Sequence, residues 1–550
     1  MTISIALTIL IILTFAPDDA DLGFTRLLNE EVSPAVSILE NFSKHGPHSN
    51  NTRENDRLQY DSAPYDDRIT EVAKQDNVPT SNCSDRSIDE FPEVFPLEQR
   101  RRGAVILHVF FGFYCFILTA FVCNDYLLPT LDIICTRLSI SSDVAGATFL
   151  ATASCFPELF VNVVGTFLTE SDLGVGTVMG GAVFNTFATP ACGALSAIHA
   201  IQLEWRILTR DCIIYVISVA TLVIVMWDGV IKLYEAIILM VLFVTYLTIL
   251  FCGKCFVRWH NKLAHLYADK NRSTNFSEKE IPKDKEEPMS DGLYRPYFHG
   301  ELVAEYRKKS VASNGGRKSS SKTNDVEAAQ NHVEQAEEYV EPDTPFVWPT
   351  GGNLAKLWFC FVWPLKLILF VTVPDSRYKR WRNWYLITFV MCVIWIAISS
   401  YLTSWMTTVL GDTIGIPDSV MGITFQAAGG NMPELVSIVI LSKQGNGDMA
   451  MSNTLGANTL DILLCLGLPW MVKIFKDKKD IRIISDALRY SVLSIIVCVI
   501  AFYTVTAFCK FCLNKKVGII CLILYTIFLV FALLFELNVF FPVNLPMCPS

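Results

Sequence analysis

Gly146-Ala147-Thr148-Phe149, running on to Pro157-Glu158-Leu159, returns as Gly422-Ile423-Thr424-Phe425, running on to Pro433-Glu434-Leu435. The offset is a constant 276 residues, and it also carries Asp172 onto Asp448, Gly180 onto Gly456 and Asn185 onto Asp461 with no gap. Each copy sets a Pro-Glu pair inside an apolar segment. A carboxylate at membrane depth is costly and marks a functional site by default. Two of them, at matching positions of a duplicated membrane sequence, point to a transporter built from repeats.

Composition agrees with that reading. The chain has 550 residues, is 52% hydrophobic and has a mean hydropathy of +0.38. Its charged residues gather in two blocks, 17–102 and 254–351, and the net charge of −9 comes largely from them, so it says little about partners. About 20 apolar residues cross a bilayer of about 30 Å. Runs of that length give ten spans, at 104–126, 145–168, 174–197, 210–228 and 232–253, then 384–408, 420–441, 449–472, 488–508 and 517–540. The stretch 352–373 is also apolar, but Lys356, Pro364 and Lys366 interrupt it. It reads as part of an interfacial segment, 352–383, lying along the membrane. The expected fold is an all-α membrane protein of ten transmembrane helices, arranged as two inverted five-helix repeats with a large cytoplasmic loop between the halves. Five spans per half insert the second copy upside down, so the two Pro-Glu segments meet near the midplane.

Residues 1–16 read as a secretory signal peptide that lacks a basic leader, with a retained signal anchor as the alternative. Residues 17–102 carry glycosylation sequons at Asn41, Asn50 and Asn82, which puts them in the lumen or outside the cell. The first transmembrane half is then 103–253, with its repeat at 145–197. The cytoplasmic loop is 254–351, and its low apolar content predicts little packed core. The second half is 384–540, with its repeat at 420–472, and 541–550 is an extracellular tail. Lys254, Arg258 and Lys262 on one flank of the loop, and Arg377, Lys379, Arg380 and Arg382 on the other, obey the positive-inside rule. Arg100 to Arg102 and Lys473 to Arg482 run against it; the sequons and the parity of the repeat outweigh them. Cys83 and Cys548 both fall on the oxidising side, and a disulfide between them is expected.

The chemistry lies in the repeats. Ser154 and Glu158 share one helix face. Pro157 has no N–H and its ring clashes with the carbonyl four residues back, which opens the helix near Ala153; Pro433 does the same near Gly429. Irregular backbone at membrane depth is tolerated where it lines a polar cavity. Two carboxylates with freed carbonyls suit calcium, which takes six to eight oxygens, and sodium can use the same oxygens. A kink with a helix-end charge accounts for one Pro-Glu as readily, but not for two in register. Asp461 adds a third carboxylate where the first copy has Asn185, enough for a monovalent cation beside the divalent one; a structural Asp bonded to a neighbouring helix is the alternative. Asp172 and Asp448 read as helix-end or loop carboxylates. The glycines of Gly174-Val175-Gly176 and Gly180-Gly181 read as surfaces for close helix approach.

Enzyme chemistry is not supported. Gly445-Asn446-Gly447-Asp448 fits the Gly-x-Gly-Asp pattern of intramembrane aspartyl proteases, but it lies in a polar loop and has no Tyr-Asp partner within a span. The sequence offers no hydrolase metal cluster, phosphate-cradling loop or nucleophile triad, and no nucleic-acid partner is expected.

Ala147-Thr148-Phe149-Leu150-Ala151 to Pro157-Glu158-Leu159-Phe160, and Gly422 to Glu434, resemble the alpha-repeats of the potassium-dependent sodium/calcium exchangers. Gly447-Asp448-Met449-Ala450, Gly467-Leu468-Pro469-Trp470, Asp89-Glu90-Phe91-Pro92 and Val543-Asn544-Leu545-Pro546-Met547-Cys548 look like that family too. The resemblance implies export of Ca2+ together with K+ in exchange for Na+; no cofactor is expected, and the plasma membrane is expected before an internal one, although the sequence itself does not distinguish the two. It implies Glu158 and Glu434 as the calcium acids, Asp461 as the potassium acid and Asn185 as a polar ligand. Ser154, Asn431, Asn458, Ala151 and Ala427 complete the candidate ligand set. The chain departs from the family pattern at Ser154-Cys155-Phe156 and Gly430-Asn431, which replace Ser-Ser-Ala and Thr-Ser, at Glu434, where Asp is usual, and at Gly181 and Ala457, where Ser is usual. Coupling to another ion such as the proton, and a cation-binding membrane protein without turnover, stay open as alternatives. Protein partners also stay open, a homodimer among them.

Overall fold

The computed structural model describes residues 87–139, 145–197, 200–251, 296–305, 342, 344–349, 352–485, 487–537 and 539. The signal peptide, the three sequons, Cys83, Cys548 and most of the central loop lie outside the described residues.

The described chain is almost wholly helical. In chain order the long helices are α1 (Leu97–Arg137), α2 (Thr148–Ser154 and Phe156–Phe167), α3 (Leu173–Ser196), α4 (Trp205–Met226), α5 (Leu233–Phe251), α6 (Asn353–Thr372), α7 (Arg382–Ile414), α8 (418–430 and Met432–Lys443), α9 (Met449–Asp477), α10 (Leu488–Phe508) and α11 (Lys515–Glu536). Nine of these are long and apolar enough, unbroken, to cross a membrane, and the bent pair of α2 makes ten. The protein is therefore a multi-pass membrane protein.

Two expectations about boundaries need correction. The helix at α6 runs unbroken through Pro364, so Lys and Pro do not break the 352–373 stretch. It leaves most of its surface uncovered, the pattern of a lipid-facing helix, and packs on α1 through Lys366 over the Phe121 ring. The helix α1 continues well past the expected end at 126. Its polar continuation is buried and paired instead of ending the helix: Thr130 meets Ser376 at 2.9 Å, and the Asp132 carboxylate accepts the backbone N–H groups of Tyr297, Phe298 and His299. A buried polar group is tolerated on those terms.

The centre belongs to the repeats. Helix α3 is buried over 94% of its most apolar window. Its glycines bring it into backbone contact with α8: a Cβ on Gly176 would stand 2.6 Å from the Ser419 carbonyl oxygen. The sequence expectation of close helix approach holds at this point. Helices α1 and α7 pack antiparallel, with Arg100 of α1 bonded to Asp412 at 2.9 Å and Thr119 bonded to Ser399 at 2.8 Å.

Four two-residue strands tie the helix ends. We label them β1 (Ile201–Gln202), β2 (Val230–Ile231), β3 (Ile481–Arg482) and β4 (Cys512–Leu513). The pair β1–β4 is antiparallel with Ile201 opposite Leu513, and β2–β3 is antiparallel with Val230 opposite Arg482. Strand β1 precedes α4 and β2 follows it, so the two ladders lie at opposite ends of that helix.

Candidate ion-binding site

Helices α2 and α8 break at equivalent residues, Cys155 and Asn431. Both leave ideal helical geometry (φ −78°, ψ −6° and φ −83°, ψ 16°), and α2 bends by 47° there. The proline opens the second piece in each case, where its missing N–H is no loss. The break lies two residues C-terminal to the positions expected from the proline clash. Each break puts its glutamate, Glu158 or Glu434, in the first turn of a new helix, at the positive end of the helix dipole.

The three carboxylates come together. Glu158 and Glu434 are 1% exposed and Asp461 is 3% exposed. A Cβ on Gly430 of α8 would stand 3.0 Å from Glu158 Oε1, so the first glutamate faces the second broken helix. All three pairs of acids interact electrostatically. Both carboxylate oxygens of Glu158, Oε2 of Glu434, Oδ1 of Asp461 and Oδ1 of Asn458 are buried without a hydrogen-bond partner. Among the described residues no Lys, Arg or His forms an ion pair with these acids. A buried unpaired charge costs several kcal/mol, so such a cluster is built for cations that enter it.

The other candidate ligands divide into two groups. Asn458 is bonded through its amide N–H to the Ala182 carbonyl at 3.2 Å, which leaves its oxygen free, and Ser154 donates to Leu150 at 3.1 Å with its lone pairs free. Asn185 and Asn431 instead satisfy one another: Asn185 Nδ2 donates to Asn431 Oδ1 at 2.6 Å, and Thr189 donates to Asn185 Oδ1 at 3.0 Å. The backbone carbonyls of Ala151 and Ala427, which are what these candidate ligands have to offer a cation, are capped within their own helices. Cys155 Sγ donates to Ala151 at 2.8 Å and Asn431 Nδ2 to Ala427 at 2.7 Å.

Two departures from the family pattern are one feature in space. A Cβ on Gly181 would stand 2.7 Å from Asn431 Nδ2. The amide of Asn431 therefore occupies the room that a serine at 181 would need.

Sequence reading missed a polar face on α7. Ser399, Ser400, Thr403, Ser404, Thr407 and Thr408 are all buried. They meet both repeats: Ser400 donates to the Pro157 carbonyl at 3.3 Å, and Thr407 donates to Gln426 Oε1 at 2.9 Å. The signal was present as hydroxyl pairs recurring every four residues, one helix face in an apolar run. Asp172 sits before α3 as a helix-end carboxylate and accepts the Ser485 N–H at 2.5 Å. The side chain of Asp448 lies outside what the structure describes.

The family model for sodium/calcium exchanger proteins matches residues 108–252 and 384–534. Sodium/potassium/calcium exchanger 3 of Homo sapiens is 34% identical, over 85% of this chain and 87% of its own length. Sodium/potassium/calcium exchanger 4 of Mus musculus is 33% identical, over 85% and 87%, and exchanger 5 of Homo sapiens is 32% identical, over 84% and 89%. Among solved structures, the sodium-calcium exchanger NCX_Mj aligns with a TM-score of 0.41 at 16% identity, over 77% of this chain and 98% of that one.

Proposed function

The chain belongs to the potassium-dependent sodium/calcium exchanger family, and on that premise we propose that it is a secondary active antiporter that exports calcium with potassium in exchange for sodium by alternating access. It is a transporter rather than an enzyme. The observation that carries this reading is the cluster of Glu158, Glu434 and Asp461, buried together with unpartnered oxygens on all three. Three negative charges balance one divalent and one monovalent cation together, or sodium ions in their place. Asn458 and Ser154 add free oxygens, and the α7 hydroxyls border the same breaks. Asn185, Asn431, Ala151 and Ala427 become ligands on this reading when the break regions rearrange to release them.

The proposed layout is two inverted five-helix repeats, α1–α5 and α7–α11, joined by a cytoplasmic loop. The strand pairs support it. The connection after α3 lies at one end of α4, and its counterpart after α9 lies, through β3 and β2, at the other end. Copies related that way run in opposite senses. Helix α6 stays outside the count on this plan, although it is long and apolar enough to cross a membrane; the segment before it folds back along it, with Tyr378 donating to the carbonyl of Pro342 at 2.9 Å and Trp363 Nε1 to that of Pro345 at 3.1 Å. The glycosylated N-terminal segment and the C-terminal tail then face outward, and we place the protein in the plasma membrane.

Calcium flux in proteoliposomes, with sodium, potassium and pH gradients imposed one at a time, tests the proposal. Expected is calcium uptake driven by outward sodium and requiring potassium. In Asp461→Asn, flux should persist but lose its response to potassium. Flux driven by a proton gradient alone would replace sodium with the proton as coupling ion. No flux under any gradient, with calcium still bound, would leave a cation-binding protein without turnover.

A further inference from the structure

Two thiols stand where an ion site for hard cations has no use for them. Cys155, at the break of α2, and Cys465, on α9, lie beside Asp461. The two sulfurs and a carboxylate oxygen are all within 4.8 Å of one another, and all three residues are buried. Among the described residues no other group of His, Cys, Asp and Glu is spaced this way. The thiols now make weak contacts with backbone oxygen: Cys155 Sγ to the carbonyls of Ala151 at 2.8 Å and Ala457 at 3.4 Å, Cys465 Sγ to that of Cys155 at 3.5 Å. Asp461 Oδ1 has no partner.

Calcium, sodium and potassium prefer oxygen, and thiolates select zinc and its softer relatives. We propose that Cys155, Cys465 and Asp461 form a site for one thiophilic divalent cation of the zinc class. A tetrahedral zinc with about 2.3 Å bonds to sulfur sets its ligand sulfurs about 3.8 Å apart, so the present spacing closes by about an ångström or less. Binding replaces two S–H protons with two metal–sulfur bonds and releases both protons. The fourth position falls to water or to a backbone carbonyl at the break.

The consequence for transport rests on the role assigned to Asp461 above; the binding itself does not. An occupant would tie the hinge of α2 to α9 and take up the acid assigned to potassium. It therefore arrests exchange without competing for the glutamates. This is an inhibitory site in which Cys155 stands where the family pattern has Ser.

Cadmium is the probe, because its thiolate complexes absorb in the ultraviolet by charge transfer. Purified full-length protein titrated with cadmium chloride should show that band saturating at one cadmium per chain. Cys155→Ser keeps a donor for Ala151, and Cys465→Ala removes the other sulfur. Even outer-shell changes cost metal sites about 10–100-fold, so each single variant should weaken the site at least about tenfold. In proteoliposomes the cadmium concentration that halves calcium flux should rise by the same factor. A band and a sensitivity that persist in both variants overturn the proposal. So does inhibition that calcium relieves in simple competition and that neither variant alters, since cadmium is then at the glutamates. If the protein carries no flux at all, the proposed function fails while the band still decides this site.

Discussion

Glu158 has both of its carboxylate oxygens buried and unpartnered, and its neighbour across the site, Glu434, has one. Replacing either with glutamine keeps the shape and removes the charge. Losing one member of a buried charge set costs about 3–5 kcal/mol, so Glu158→Gln and Glu434→Gln should each lower calcium flux by roughly a hundredfold or more, at normal surface abundance. Near-normal flux in either variant would end the assignment. Glu434→Asp restores the residue usual in the family and should keep flux with a shifted apparent calcium affinity. These acids were legible in the sequence because a carboxylate in an apolar run has few structural explanations. The pairing of Gly181 with Asn431 was not, because contact between α3 and the break of α8 leaves no mark in either stretch alone. It gives a second prediction. Gly181→Ser should impair flux, since its Cβ meets the Asn431 amide at 2.7 Å, and adding Asn431→Ser should recover it. A coupling of about 1 kcal/mol or more between the two changes is expected. Simple additivity in that double-mutant cycle would show that the contact is immaterial.

The broken helices α2 and α8 were legible from proline chemistry, down to the two matching breaks. What sequence placed wrongly was the break itself, which falls at Cys155 and Asn431, where each side chain caps the carbonyl four residues back. The ends of α1 escaped for a related reason: Asp132 looks like a helix stop until the backbone of 297–299 arrives to satisfy it. Between elements, the α2–α3 and α9–α10 connections are latched by Asp172 on the Ser485 N–H, and Ser485 also donates to Glu536 at 3.0 Å. Burial pushes the Asp172 carboxyl up to about 7 from its ordinary 3.8, against the opposing pull of the Ser485 hydrogen bond. A carboxyl raised on folding stabilises below its unfolded pKa, and that contribution fades as pH rises through the folded value. Between pH 6 and 8 the protein should therefore lose about 1 kcal/mol of stability through this group. Thermal unfolding in detergent should show a lower midpoint at pH 8 than at pH 6, and Asp172→Asn should flatten the difference. A wild-type midpoint that rises over that interval contradicts the assignment.

At the scale of the whole molecule, the repeat offset announced two related halves, and hydropathy gave the helices. How the halves interlock was hidden, since two-residue strands such as β1 and β4 carry no readable pattern and find each other only across the fold. The same interlocking bears on the chain ends. Arg100, near the start of α1, is bonded to Asp412 at the end of α7 at 2.9 Å. Ser419, at the start of α8, is bonded to Glu536 at the end of α11, also at 2.9 Å. The described chain thus starts and finishes at one end of the helix bundle, which supports an N-terminal segment and a C-terminal tail on the same side of the membrane. Cys83 and Cys548 lie in those two segments, outside the described residues, and we expect a disulfide between them. Such a bond needs Cα atoms within about 7 Å, a distance two short tethers from the same face can meet. With a protease site placed in the 254–351 loop, the cleaved protein should run without reductant as one joined band. Reductant should split it, and so should Cys83→Ser. Two separate bands from the unreduced wild type would remove the bridge, and the shared side of the two chain ends would then rest on the Arg100 and Ser419 contacts and the strand pairs.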